Sequence, residues 1–420
     1  MFRKLLSIML VACISFGFAG CTKENVGKTK KPKSLTEEVS TEEIDEEPDG
    51  SYDENLKAIM GDFAFELLKN CDDGEGNVMI SSASVAFALG MTANGADGDT
   101  LKAMENALGK ELNLDLINRI YNYYAGILTM DEETKIRIAN SIWINDCMDL
   151  QVNSEFLTKC LTYYDAEVYT LEFDKAAVKT VNQWVSDNTD GMINEIIKEF
   201  NGAELMMLIN AIVFEAEWES IYYENMVWDT DFTTASGDVS TVQGMYSEER
   251  TYLKDENTQG FIKDYRGNYQ LVALLPDEDV DIDTYVKEFT AEKYFELLDG
   301  KQEAKVDAML PKFQYEYSVS MVSTLKKMGM EVAFDPNNAD FTNMAECDRN
   351  IYIGDVIHKT YIEMAEKGTK AAAVTAVIMD GNTMMPMEEI KEVHLDRPFM
   401  YMIIDETTKL PLFVGVVRDI

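Results

Sequence analysis

Residues Glu366 to Ile378 read Glu-Lys-Gly-Thr-Lys-Ala-Ala-Ala-Val-Thr-Ala-Val-Ile, and the rest of the chain is read outward from them. Lys367-Gly368 is a turn signal. The run of small and β-branched residues after it suits a strand. Taken with period two, one face carries Thr369, Ala371, Ala373, Thr375 and Val377, and the other carries Lys370, Ala372, Val374, Ala376 and Ile378. The first face is small and uncharged throughout. Such a segment can lie in water as a loop, or slide into a sheet without burying a charge. After Met379 comes the polar, Met-rich stretch Asp380-Gly381-Asn382-Thr383-Met384-Met385-Pro386-Met387. An ordinary edge strand followed by a loop fits the same pattern, so the rest of the chain has to decide.

The chain has 420 residues, 46% of them apolar, and a net charge of −39. Such acidity argues against nucleic-acid binding, because phosphates are repelled. The first residues, Met1-Phe2-Arg3-Lys4, precede an apolar run from Leu5 to Phe18. This pattern is a secretory signal over 1–20, too short to span a bilayer comfortably. Phe18-Ala19-Gly20-Cys21 resembles a bacterial lipobox, in which the chain is cut before the cysteine and the cysteine carries lipid. The alternative is a plain signal peptide with a chance cysteine. Residues 21–53 are polar and acidic, with few large apolar side chains to offset ordering entropy, and read as a disordered, lipid-anchored tether. The expected location is the extracellular side of a bacterial cell, with membrane contact only through Cys21. Cys71, Cys147, Cys160 and Cys347 show no metal-ligand spacing and are expected to be buried thiols.

In the body, helical periodicity marks Leu56–Asn70, Ser81–Met91, Thr100–Leu108, Leu114–Met130, Ser154–Leu161, a segment around Val181–Val185, and Val319–Met328. Ile136–Ile144 alternates as a strand. Leu205–Trp218 is almost continuously apolar and reads as a strand buried on both faces. Later strands are expected at Thr241–Met245, Gln259–Tyr265, Gln270–Leu275, Lys305–Phe313, Ile351–Met364, Phe399–Asp405 and Pro411–Val417. Helices come first and strands dominate later, without βαβ alternation. That argues for one mixed α+β domain over 54–420.

Catalytic signals are missing. The two histidines, His358 and His394, have no nucleophile-elbow serine, H-E-x-x-H or glycine-rich phosphate loop to serve. His358 lies in an apolar strand pattern and is expected to be a buried, hydrogen-bonded histidine. The acidic run Asp277–Asp283 lacks the glycine and terminal glutamate of an EF-hand and reads as a solvated loop. No cofactor and no metal are expected, and the chain does not read as an enzyme.

Several segments in order resemble the serpin family. Asn77-Val78-Met79-Ile80-Ser81-Ser82-Ala83-Ser84 is similar to its strand leading into helix B, with Ser82 where the family usually has proline. Val181-Asn182-Gln183-Trp184-Val185 resembles its helix F segment. Leu208–Phe214 with Trp218 resembles its central strand. Leu310-Pro311-Lys312-Phe313, Asp355–Lys359, Glu366-Lys367-Gly368-Thr369, Arg397-Pro398-Phe399 and Pro411–Gly415 follow in the family's order. The resemblance implies three β-sheets, about nine helices and an exposed reactive-centre loop at about 366–391. It also implies a suicide inhibitor of serine proteases, working as a monomer. In such an inhibitor the target attacks the loop, an acyl-enzyme forms, and the cut loop inserts into the central sheet. Glu366, Gly368, Thr369, Ala371, Ala372 and Ala373 then match the hinge. Ser81, Ser84, Asn182 and His358 match a hydrogen-bonded core beneath the opening sheet, and Trp218 the point where the loop enters.

Spacing from the hinge places the cut at Asn382–Thr383, whereas counting back from Pro398 places it near Met387. Asn382 suits few serine proteases, and chemistry favours Met384 or Met385, or Ile378 and Met379 upstream, so the reactive window is Ile378, Met379, Asn382, Thr383, Met384 and Met385. No Lys or Arg lies between Lys370 and Lys391, so elastase-like or chymotrypsin-like targets are expected over trypsin-like ones. The competing reading is a non-inhibitory serpin acting as a surface binding or structural lipoprotein. The uncharged inserting face favours the inhibitor.

Overall fold

The apolar run at 206–214 becomes the central strand, Met206–Glu217, of a seven-stranded sheet. The computed structural model describes residues 32–44, 50–130, 133–146, 151–200, 205–346, 348–369 and 389–420. Across the sheet the strands run Lys33–Ser34, Glu167–Leu171, Lys135–Asn145, Met206–Glu217, Gly368–Thr369, Asp355–Ala365 and Phe313–Ser320. Met206, Leu208, Ile212 and Phe214 face the main core, while Met207, Ile209 and Ala211 face a second cluster. That cluster is covered by Ala177, Val181 and Val185 of the helix Lys175–Asn188. Burial on both faces is what a continuous apolar strand requires.

The second sheet has nine strands. The long strand Val239–Lys254 links its two halves, pairing with Gln302–Pro311 and with Thr258–Asp264. Lys391–His394 lies parallel on Gln302–Pro311, next in sequence to the residues read as the loop. The two C-terminal strands, Phe399–Asp405 and Pro411–Val417, are wholly buried and pair as expected. Gln151–Val152 and Ala345–Glu346 form a small third sheet. Together with the helices this is a mixed α+β architecture.

Three expectations need correction. First, part of the segment read as a free tether is docked: Lys33–Ser34 pairs antiparallel with Glu167–Leu171 at the sheet edge. Leu35 is 7% exposed and its N–H donates to the Val168 carbonyl at 2.8 Å. Average composition hides the reason: Leu35 and Val39, four residues apart, pack on the core beside an edge strand whose backbone groups need partners. The first helix also starts within that segment, at Gly50. Second, the helix expected at Val319–Met328 starts three residues late. The strand Phe313–Ser320 keeps its alternation to Ser320, and the helix runs over Val322–Leu325 and widens into a π turn over Lys326–Met330. Gly329, at φ 95°, is incompatible with continuing it. Third, the acidic run is not merely solvated. Asp281 caps the helix Ile282–Glu288, and Asp283 accepts from Arg418 at 2.7 Å.

Cys71 and Cys160 are buried free thiols, and burial pushes the Cys71 thiol up to about 11. Cys147 and Cys347 lie outside the described residues.

Candidate functional site

The hinge Glu366, Gly368 and Thr369 lies at the seven-stranded sheet, held by several polar contacts. Gly368 and Thr369 form a two-residue strand wedged between the central strand and Asp355–Ala365. Gly368 stands opposite Glu217, and Thr369 opposite Ala216. Only glycine fits: a Cβ on Gly368 would lie 2.0 Å from the Ala216 carbonyl oxygen, and its φ is 150°. Thr369 is 3% exposed, and its hydroxyl is 2.6 Å from the Tyr265 hydroxyl.

Three successive hinge carbonyls are held from one side. The Trp218 indole N–H donates to Ala365 at 2.9 Å. The Trp218 backbone N–H donates to Lys367 and that of Tyr222 to Glu366, each at 2.8 Å. The Trp218 ring is fully buried and stacks on Tyr265, with centroids 4.1 Å apart. Glu366 pairs with Lys312 at 2.7 Å. Burial pushes its carboxyl up, but the Lys312 ammonium and a backbone hydrogen bond outweigh that and hold it below the usual carboxylate range. Trp218, expected where the loop enters the sheet, lies against the hinge carbonyls of Ala365 and Lys367.

Below the hinge the sheet is closed. Asp355–Lys359 pairs directly and in parallel with Met207–Ala211. The first two hinge residues are thus seated, and the strands beyond them would have to part for any longer insertion.

At the closed end, His358 is 1% exposed and its Nε2 accepts from the Ser81 backbone N–H at 3.1 Å. Ser81 Oγ accepts from the Ser84 backbone N–H and caps the helix Ser82–Ala93. Burial alone drives the His358 pKa down to about 3, so the imidazole is neutral. Ser81, Ser84 and His358 therefore come together as the resemblance implies. Asn182 does not join them. Its side chain holds the turn after its own helix, accepting from the Ile196 and Ile197 N–H groups and donating to the Ile197 carbonyl. In the central strand, position 210 lies in backbone register with His358 on one side and Asn140 on the other. Asn210 is the sole polar residue in the run Met206–Phe214. Ser82, at the usual proline position, donates to the Pro411 carbonyl at 3.0 Å and leaves the packing intact.

Ala371, Ala372 and Ala373, the window Ile378, Met379, Asn382, Thr383, Met384 and Met385, and Cys21 all lie outside the described residues. Among the described residues no cluster of metal-ligating side chains occurs, and no helix is long and apolar enough to cross a membrane.

The family described as Serpin (serine protease inhibitor) matches residues 58–420. The chain is a serpin. It is 32% identical to Serpin B6 of Pongo abelii over 376 residues, 86% of this chain and 98% of that one. It is 31% identical to the leukocyte elastase inhibitor of Xenopus laevis, with the same coverage of each chain. Among solved structures, native-state tengpin, a thermophilic serpin, superposes with a TM-score of 0.87 at 38% identity, covering 93% of this serpin and all of tengpin. Against latent-state tengpin the TM-score is 0.78.

Proposed function

We propose that this serpin is a suicide-substrate inhibitor of serine proteases, with elastase-like or chymotrypsin-like targets. The observation that carries the reading is the seating of Thr369. The inserting face starts with a buried, hydrogen-bonded residue already between the two strands that must part. The small, uncharged positions Ala371, Ala373 and Thr375 continue that face in sequence. The target's serine attacks a peptide carbonyl in the window Ile378–Met385. An ester forms to the protease, and the new amino terminus leaves with the C-terminal fragment. The N-terminal arm then zips in behind Thr369. Trapping succeeds when insertion outruns hydrolysis of that ester.

The similarity to a leukocyte elastase inhibitor supports the target class, as does the absence of Lys and Arg between Lys370 and Lys391. The lipobox-like Phe18-Ala19-Gly20-Cys21 supports a lipid anchor on the outer side of the cell. Incubation with pancreatic or neutrophil elastase, followed by denaturing electrophoresis, tests the proposal. A band at the summed mass is expected. Rapid cleavage without such a band, across several apolar-specific proteases, would overturn it. Mass spectrometry of the released C-terminal peptide identifies the bond.

A further inference from the structure

Directly behind the hinge lies a buried charge that the inhibitory mechanism does not call for. Lys263, on the strand Thr258–Asp264, has only 1% of its side chain exposed. Its ammonium is 2.7 Å from Glu249, on the neighbouring strand Val239–Lys254. Glu249 also accepts from the Ser247 hydroxyl at 2.6 Å. The same ammonium lies 4.5 Å from the centre of the Tyr222 ring and 5.4 Å from that of Trp218. Both distances are within cation–π range.

A buried position is a costly place for a cation unless it is paired and its remaining contacts are favourable. Here the contacts all converge on one task. Trp218 and Tyr222 are the two residues that hold the carbonyls of Ala365, Glu366 and Lys367. Lys263 is wedged against both of their rings. Trp218 also stacks on Tyr265, whose hydroxyl meets Thr369. A continuous chain of contacts thus runs from the Glu249 carboxylate through Lys263 and the aromatic rings to the first inserting residue.

We propose that Lys263 and Glu249 are positioning residues for the hinge. The ion pair fixes the faces of Trp218 and Tyr222, and they in turn hold the 365–367 carbonyls so that Thr369 stays seated. The pair therefore sets how fast insertion begins after the loop is cut, which rests on the inhibitory reading above. A hydrophobic pair of similar volume would fill the same space without fixing ring orientation, because it lacks the directional attraction of an ammonium for a ring face.

The test uses Lys263→Met and the double variant Lys263→Met/Glu249→Leu, which leaves no unpaired buried charge and so guards against simple misfolding. The first readout is hydrogen exchange at the backbone amides of Trp218 and Tyr222, the donors to the hinge. Both variants are expected to exchange these two amides about tenfold faster than the parent, with amides of the closed lower sheet unchanged. The second readout is the stoichiometry of inhibition. It is expected to rise several-fold at an unchanged rate of loop cleavage, and Lys263→Arg is expected to restore it in large part. Parental exchange at both amides in the double variant would overturn the proposal. So would faster exchange with an unaltered stoichiometry in a protein that traps protease. The exchange measurement needs no protease, so a parent protein that traps nothing would refute the inhibitory reading while still deciding what Lys263 does.

Discussion

On the proposed inhibitory function, replacing Thr369 by arginine should turn trapping of the protease into plain cleavage of the loop. Thr369 is 3% exposed, between two strands, with its hydroxyl against Tyr265. An arginine has two choices there. Left inside, an unpaired guanidinium costs several kcal/mol. Expelled, the hinge loses its ladder contacts to Ala216 and Glu217 and the Tyr265 hydrogen bond, at about 1 kcal/mol each. By either route the first step of insertion becomes harder by about 3 kcal/mol. At 1.4 kcal/mol per factor of ten, insertion slows on the order of 100-fold. Attack on the loop is untouched, because the substitution lies outside the reactive window. The acyl ester should therefore be hydrolysed before the loop inserts. Titration of active protease with the variant measures the molecules consumed per enzyme trapped. The ratio should rise at least tenfold, and the covalent band should vanish from denaturing gels. A ratio equal to that of the parent would refute the assignment of Thr369 to the inserting face.

Three further outcomes are expected. His358 is held neutral by burial, with a pKa near 3 against an ordinary value of 6.5. Above pH 6.5 neither state binds the proton. Below it the unfolded chain does and the folded one does not, so stability falls as pH drops from 6.5 toward 3, by up to about 1.4 kcal/mol per pH unit. Urea unfolding across that range should show this slope, and His358→Gln should lose it. Leu35→Ala should cost about 2 kcal/mol of unfolding free energy; an unchanged urea midpoint would mean the docked N-terminal segment adds nothing. Cys21→Ala should move the protein from the membrane fraction to the soluble one, and unchanged fractionation would refute lipidation.

What could be read in the sequence depended on how local the signal was. The central strand declared itself because Met206–Phe214 is apolar on both faces, a pattern that only a doubly covered strand needs. Gly368-Thr369 was legible for a similar reason: a glycine followed by a small alternating face fits a strand that starts at a turn. The structure added that the first two residues are already seated, which depends on Tyr265 and Trp218 more than 100 residues away. Asn182 shows the limit: the resemblance put it in the buried cluster, and only the folded chain places its side chain on the turn at Ile196 and Ile197. The helix Ile282–Glu288 was hidden because its capping residue, Asp281, looks like loop chemistry in a string of acids. Docking of Leu35 was invisible because its partner, the edge strand Glu167–Leu171, is distant in sequence.

Trapping requires the sheet to take up its own loop, and thermal unfolding before and after a single cut in the window Ile378–Met385 measures that most directly. Insertion adds a central strand with on the order of ten backbone hydrogen bonds at about 1 kcal/mol each. The cut protein should therefore unfold on the order of 20 °C higher than the intact one. A cut protein that unfolds at the same temperature, or lower, would contradict the account.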